Sequence, residues 1–422
     1  MTIRRVLLLA TFALALPACG GGGASSVDDP IVPATPGSGG DGGGVAVSSK
    51  ASRTQILVDP TTVDDLLKLC EEKGSQVLGE CPGTEYCIVG VPKSTTVEKF
   101  LEDVGDEPCV EDAIPDEGVE FPEGDGSTIP AFVEEDPSTV VAQAALERLG
   151  LPAARARGLR GEGVVVAVLD TGVAADHPFL RGRVLPGFDF VDGDDDASDV
   201  GNGVDDDHDG EVDEGVGHGT FVASLVLAAA PMARILPVRV LDSDAVGRAA
   251  SVTQGIAWAV EQGAQIVNFS GGLSLDLRIV QQAIERANEA GAVVLAAAGN
   301  TGGAVGFPAR LPSVVAVTSI GLDDRKSDFS AFGPTVDFVA PGEDLAGAHP
   351  LSPTGYARWS GTSFSTALVA GALAVVRGQL GPALPDVLVE VLRATAVAVD
   401  DFNPVYKDRL GVGRPDVDAA TR

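Results

Sequence analysis

Aromatic residues make up only 5% of this 422-residue chain, which holds four histidines, two methionines and two tryptophans. Basic residues are scarce: 29 Lys and Arg stand against 61 Asp and Glu, a formal net charge of −32. That balance excludes nucleic acid as a partner, because binding it means neutralising phosphates with Lys and Arg. Such acidity keeps a chain soluble but names no substrate. The apolar run near the start, VLLLATFALAL, is too short to span a bilayer as a permanent helix. Cysteine is absent beyond Cys109. What remains is a chain 45% hydrophobic and poor in rings, the composition of an Ala/Val/Leu-rich α/β protein. Its length suffices for one large core and a smaller companion domain.

Arg4 and Arg5, the apolar run and the small residues after it read as an export signal over residues 1–18. It ends in Leu16-Pro17-Ala18-Cys19, which resembles a bacterial lipoprotein signal and implies lipidation of Cys19 and a membrane anchor; the alternative is an ordinary cleaved signal. Gly20 after the cysteine leans, by the same resemblance, to the outer membrane. Setting Cys19 aside leaves Cys70, Cys81, Cys87 and Cys109, an even set in one region of an exported chain. Two disulfides are expected, with all three pairings open. Residues 19–50 are rich in Gly, Ser and Pro and read as a tether reaching roughly 30 Å.

Residues 51–121 alternate strand and helix signals in the order βαββαβ, a ferredoxin-like α+β arrangement small enough to want extra bracing. Residues 122–142 are acidic, with Pro and Gly, and read as a linker. From residue 143 to 422 the regime changes. Continuous apolar strands (VVVAVLD, RILPVRV, QIVNFS, AVVLAAAGN, VVAVTSI) alternate with amphipathic helices, which predicts a parallel sheet covered on both faces. Ligands bind such sheets at the carboxyl ends of strands.

Asp170 closes VVVAVLD, Asn300 closes AVVLAAAGN, and His218 opens an apolar helix in GHGTFVAS. Ser363 stands in SGTSFSTALVAG at the head of another. Each alone is a routine turn or capping residue. Their chain order, Asp then His then Ser with Asn between the last two, is that of subtilisin. VAVLDTGV, HGTFVAS and SGTSFSTALVAG, with QIVNFSGG, AAAGN, GFPARLPSVVAVTS and GVGRPDVDAA, resemble the subtilisin-like serine peptidases, the subtilases, across residues 143 to 422.

The resemblance implies a serine endopeptidase needing no cofactor for catalysis. Ser363 is then the nucleophile, His218 its base, Asp170 the residue that orients His218, and Asn300 an oxyanion donor. Substrate is expected as an added strand between Ser270-Gly271-Gly272 and Asp244-Ala245-Val246-Gly247. Ala297, Ala298, Gly299 and Gly306 suggest an open pocket for a large apolar residue before the cut. Phe221 and Ala367 depart from the family's usual His and Pro. The ferredoxin-like segment resembles subtilase propeptides, which implies a folding aid and inhibitor. A non-catalytic or permanently self-inhibited surface binding protein on the same fold is the competing reading. Between the Asp and His motifs, Asp205, Asp207, Asp209 and Gly210 form D-x-D-x-D-G, the start of a calcium loop that Asp213 or Glu214 closes. The bland alternative is a solvated acidic loop.

Overall fold

The computed structural model describes residues 55–81, 84–116, 118–120, 130–132, 136–273, 275–352 and 354–422. The export signal, Cys19 and the tether lie outside the described residues.

The first layer comprises β1 (Gln55–Pro60), α1 (Val63–Lys73), β2 (Val77–Glu80), β3 (Cys87–Gly90), α2 (Val97–Gly105) and β4 (Val110–Pro115). The sheet order β2-β3-β1-β4, every neighbour antiparallel, is the ferredoxin-like arrangement expected from the order of elements. Thr62 and Thr96 start the two helices by accepting from Asp65 and Lys99 backbone N–H groups.

The expected disulfides are a correction: Cys70, Cys81, Cys87 and Cys109 are all free. Cys70, Cys87 and Cys109 belong to the small core under the two helices, whereas Cys81 packs in the cluster shared with the larger body. An even count does not place thiols on one face. Burial pushes the Cys70 and Cys87 thiols up to about 11, so they act as small apolar groups.

The stretch read as a linker carries β6 (Ala131–Phe132) and α3 (Pro137–Ala142), and just before it comes β5 (Gly118–Glu120). Val140 is buried in the main core and the Gln143 side chain bonds both backbone groups of Ala346. The larger body therefore begins before residue 143.

After α4 (Ala144–Arg148) and α5 (Leu151–Ala156) come β7 (Val165–Asp170), β8 (Phe188–Asp189), α6 (His218–Ala229), β9 (Arg234–Arg239) and β10 (Val246–Arg248). Then follow α7 (Ala249–Glu261), β11 (Ile266–Phe269), β12 (Gly272–Leu273), α8 (Arg278–Glu289), β13 (Val293–Ala297) and β14 (Val315–Ile320). β15 (Phe338–Pro341), β16 (Leu345–Ala348), β17 (Tyr356–Trp359) and α9 (Thr362–Leu380) complete the part that builds the site. The main sheet has the order β15-β14-β13-β11-β7-β9-β8 and is parallel throughout. Strands buried on both faces explain the unbroken apolar runs. The strand order reverses at β7, where β9 lies on one side and β11 on the other, so the crevice opens at their carboxyl ends.

Two buried helices, α6 and α9, pack together against this sheet. α9 is long and apolar enough to span a membrane, yet here it is a core helix. A side chain at Gly371 would press its Cβ to 2.4 Å from that of Ala229, so only glycine lets α9 lie this close to α6.

The small domain docks on α7 and α8. Leu57, Leu78 and Ile88 share an apolar cluster with Val252, Ile256 and Ile284. The Asp116 carboxylate accepts the Ala250 N–H at 2.9 Å, capping α7, whose own N-cap residue Arg248 supplies no side-chain bond. A cap of this kind contributes about 1 kcal/mol. Burial raises the Asp116 carboxyl above its usual range.

Candidate active site

Asp170 ends β7 and His218 begins α6. They meet because the start of the helix presses on the end of the strand: a Cβ at Gly219 would lie 2.2 Å from the Gly172 carbonyl oxygen. Both side chains are fully buried, and Asp170 Oδ1 lies 2.7 Å from His218 Nδ1. The same oxygen accepts the Thr171 N–H at 2.9 Å, fixing the carboxylate's direction. Aromatic rings hold the imidazole, with the Trp359 and Phe364 centroids each 5.5 Å from that of His218. Phe364 follows Ser363 in the chain, so the heads of α6 and α9 converge. Ser363 Oγ donates to the Ser270 carbonyl at 3.2 Å.

Asn300 follows the end of β13. Its Oδ1 accepts the Thr362 N–H at 3.0 Å and the Thr362 hydroxyl at 2.8 Å. This leaves Nδ2 buried without a hydrogen-bond partner among the described residues, beside the residue that precedes Ser363. An orphaned buried donor is costly, which makes it a functional signal. The four residues singled out in the sequence thus gather at the carboxyl ends of the strands.

The model of the subtilase family matches residues 161–413. The chain belongs to that family. Subtilases are serine proteases, so the protein is a hydrolase of that class. Alkaline elastase YaB of Bacillus sp. (strain YaB) is 33% identical over 366 residues, covering 83% of this chain and 89% of the elastase. Thermitase of Thermoactinomyces vulgaris is 38% identical over 230 residues, 52% of this chain and 76% of thermitase. Fervidolysin from Fervidobacterium pennivorans, a keratinolytic enzyme related to subtilisin, matches with a TM-score of 0.72 at 22% identity over 88% of this chain. This chain spans 61% of fervidolysin's length, and at that identity the likeness speaks to the fold.

In this subtilase a short strand of the chain itself lies between β10 and β12. This strand, β5, is antiparallel to both, with Glu120 opposite Val246 and Gly272, and Val119 opposite Gly247 and Leu273. Its direction carries the chain towards Gly271 and Ser270. The segments expected to receive substrate are therefore the ones paired to β5. Ala245 holds a positive φ of 60° and turns the chain into β10. Asp244, grouped with that segment in the sequence, faces away: its carboxylate accepts the Asp206 and Asp213 N–H groups and anchors the acidic insertion. Further along, Gly306 N–H donates to the Ala298 carbonyl at 3.0 Å. A Cβ at Gly306 would meet nothing nearer than that carbonyl at 3.7 Å, and one at Gly299 only Ala331 at 3.8 Å. A Cβ at either glycine would thus make only ordinary van der Waals contact. On the other side β6 pairs with β17, and the Phe132 ring lies 5.0 Å from that of His349.

In the acidic insertion, ligand oxygens of Asp205, Asp207 and Asp209 lie within 4.8 Å of one another, a hard-oxygen set that fits calcium. The Asp213 carboxylate accepts the Asn202 and Gly203 N–H groups, and neither it nor Glu214 belongs to that group of three. Burial, with the charges of Asp244, Asp207 and Asp209, pushes the Glu214 carboxyl up to about 7.

One residue of the site escaped sequence reasoning. Asp199, lost among neighbouring aspartates, is buried directly behind Asp170 and His218. Phe221, in place of the family's usual second His, stacks on Phe364 at 4.6 Å as part of the core, and Ala367 leaves α9 uninterrupted.

Proposed function

We propose that this subtilase is an exported endopeptidase, made as a proenzyme and lipid-anchored through Cys19, that hydrolyses peptide bonds through an acyl-enzyme. The orphaned Asn300 amide beside Ser363 carries this reading, together with the 2.7 Å Asp170–His218 bond. A serine hydroxyl attacks a carbonyl only when a base takes its proton. His218 is that base, turning its Nε2 to Ser363 while Nδ1 stays on Asp170. Negative charge on the former carbonyl oxygen is met by Asn300 Nδ2 and the Ser363 N–H at the start of α9. The leaving amine takes the proton back from His218, and water then releases the acyl group.

Substrate takes the place of β5, bonding to Ser270, Gly271 and Gly272 on one side and Ala245, Val246 and Gly247 on the other. The small, uncharged residues Ala298, Gly299 and Gly306 favour a large apolar residue (Phe, Leu, Tyr or Met) before the cut. The N-terminal domain acts as folding aid and inhibitor, which gives Asp116 and β5 their purpose. A slow-folding parallel sheet has a physical motive for such a template. Because β5 lies between β10 and β12, a permanently self-blocked binding protein is the second reading. A fluorophosphonate probe on the purified protein separates the two. Labelling of Ser363 that rises as the N-terminal domain is lost supports the proenzyme. No labelling with that domain removed overturns it.

We further propose structural calcium at Asp205, Asp207 and Asp209, with Asp213 or Glu214 closing the loop. A cation bound by the folded state alone stabilises it by about 2.7 kcal/mol at a hundredfold excess over Kd. Chelator should lower the melting temperature and hasten self-cleavage of the insertion. The Asp207→Ala, Asp209→Ala double variant should melt early and ignore chelator. If it melts with the wild type in both calcium and chelator, the insertion is a solvated loop.

A further inference from the structure

We propose that Asp199 is a positioning residue, clamping the strand end that carries Asp170 to the helix start that carries His218. The proposal rests on the catalytic roles assigned above. Asp199 is 2% exposed and lies 19 positions before His218 in the chain. Its Oδ1 accepts the Gly217 N–H at 2.9 Å and the Thr171 hydroxyl at 3.2 Å. Its Oδ2 accepts the Thr220 N–H at 3.0 Å and the Thr220 hydroxyl at 2.5 Å. Each hydroxyl also accepts from the opposite element. Thr171, after β7, takes the Gly219 N–H at 3.1 Å, and Thr220, on α6, takes the Ala174 N–H at 3.0 Å. The strand end and the helix start are thus cross-braced through one carboxylate.

This arrangement does what α6 cannot do alone. Its N-cap is Gly217, which has no side chain to satisfy the first-turn N–H groups. Asp199 supplies that cap from outside, and its charge suits the positive end of the helix. All four groups facing it are donors, so only an ionised carboxylate accepts them all; an amide would turn its own N–H2 against them. Stability does not account for the charge. Burial first, with the Asp170 charge as the weaker cause, raises the Asp199 carboxyl to about 6. A carboxyl raised on folding contributes stability that is complete below its unfolded value and lost as pH rises through about 6. At neutral pH the charge is therefore held at a cost, and what it secures is the geometry of Asp170 and His218.

The test compares Asp199→Asn with the pair Thr220→Val and Thr220→Ser, all in the full chain. Two readouts are taken: kcat against KM on a peptide substrate, and the low-field proton resonance of the His218 Nδ1–H bonded to Asp170. Asp199→Asn should lower kcat on the order of 10²-fold, the loss that a displacement of about 1 Å brings, with KM unchanged. The resonance should shift or broaden in parallel. Thr220→Val should move both readouts the same way, and Thr220→Ser should restore them. If Asp199→Asn does not fold, the Thr220 pair decides. Wild-type kcat with an unmoved resonance overturns the proposal, as does a change confined to KM or to melting temperature. A wild type that hydrolyses no peptide counts against the catalytic roles instead, and the resonance then still reports on the clamp.

Discussion

Ser363→Ala should leave no peptide hydrolysis above the level of its oxyanion donors, a loss of roughly 10⁶ in kcat; that magnitude is subtilisin's own. The same variant should lose all cleavage between Glu117 and Gln143. Ser363 is buried at the head of α9 with its hydroxyl on the Ser270 carbonyl, where β5 is heading. A chain that cuts itself in this region has to bring the bond to this hydroxyl, so catalysis and maturation fail together. The alanine variant should therefore accumulate at full length, with the N-terminal domain still docked through Asp116 and Ala250. Mass spectrometry of purified wild type and variant over time reads the outcome directly. A variant that matures alone at the wild-type rate sinks self-processing, and one that still hydrolyses peptides sinks the assignment of the nucleophile.

The features that were legible in the sequence share a physical cause. Buried parallel strands have to be apolar at every position, so VVVAVLD and AVVLAAAGN declared themselves and placed Asp170 and Asn300 at strand ends. The small domain followed from its alternating strand and helix signals, and the structure adds the Thr62 and Thr96 caps. What could not be read depends on contacts between distant segments. The acidic stretch after Asp116 has no periodicity because β5 and β6 are single strands borrowed by sheets elsewhere in the chain. The cysteine count was even, but the sheet puts Cys81 and Cys87 in different clusters. Asp199 has the same neighbours in composition as the calcium candidates, and only folding shows that it faces Thr220.

Asn300→Ala should lower turnover by about 10²–10³-fold with KM nearly unchanged, a magnitude taken from the equivalent substitution in subtilisin rather than from this chain. The reason lies in how the amide is used. Its oxygen is committed to the N–H and hydroxyl of Thr362, which fixes the plane of the side chain. That commitment turns Nδ2 into a buried site with no partner among the described residues. A donor left unsatisfied in the ground state gains a bond only when an oxyanion forms, so its removal is felt in kcat. A peptide boronate, which presents a tetrahedral oxyanion, should lose affinity for Asn300→Ala in proportion to kcat. The binding of an uncleaved peptide should hold. If Asn300→Ala instead raises KM at constant kcat, the amide binds the substrate carbonyl before attack, and the charge of the intermediate is met by the Ser363 N–H alone.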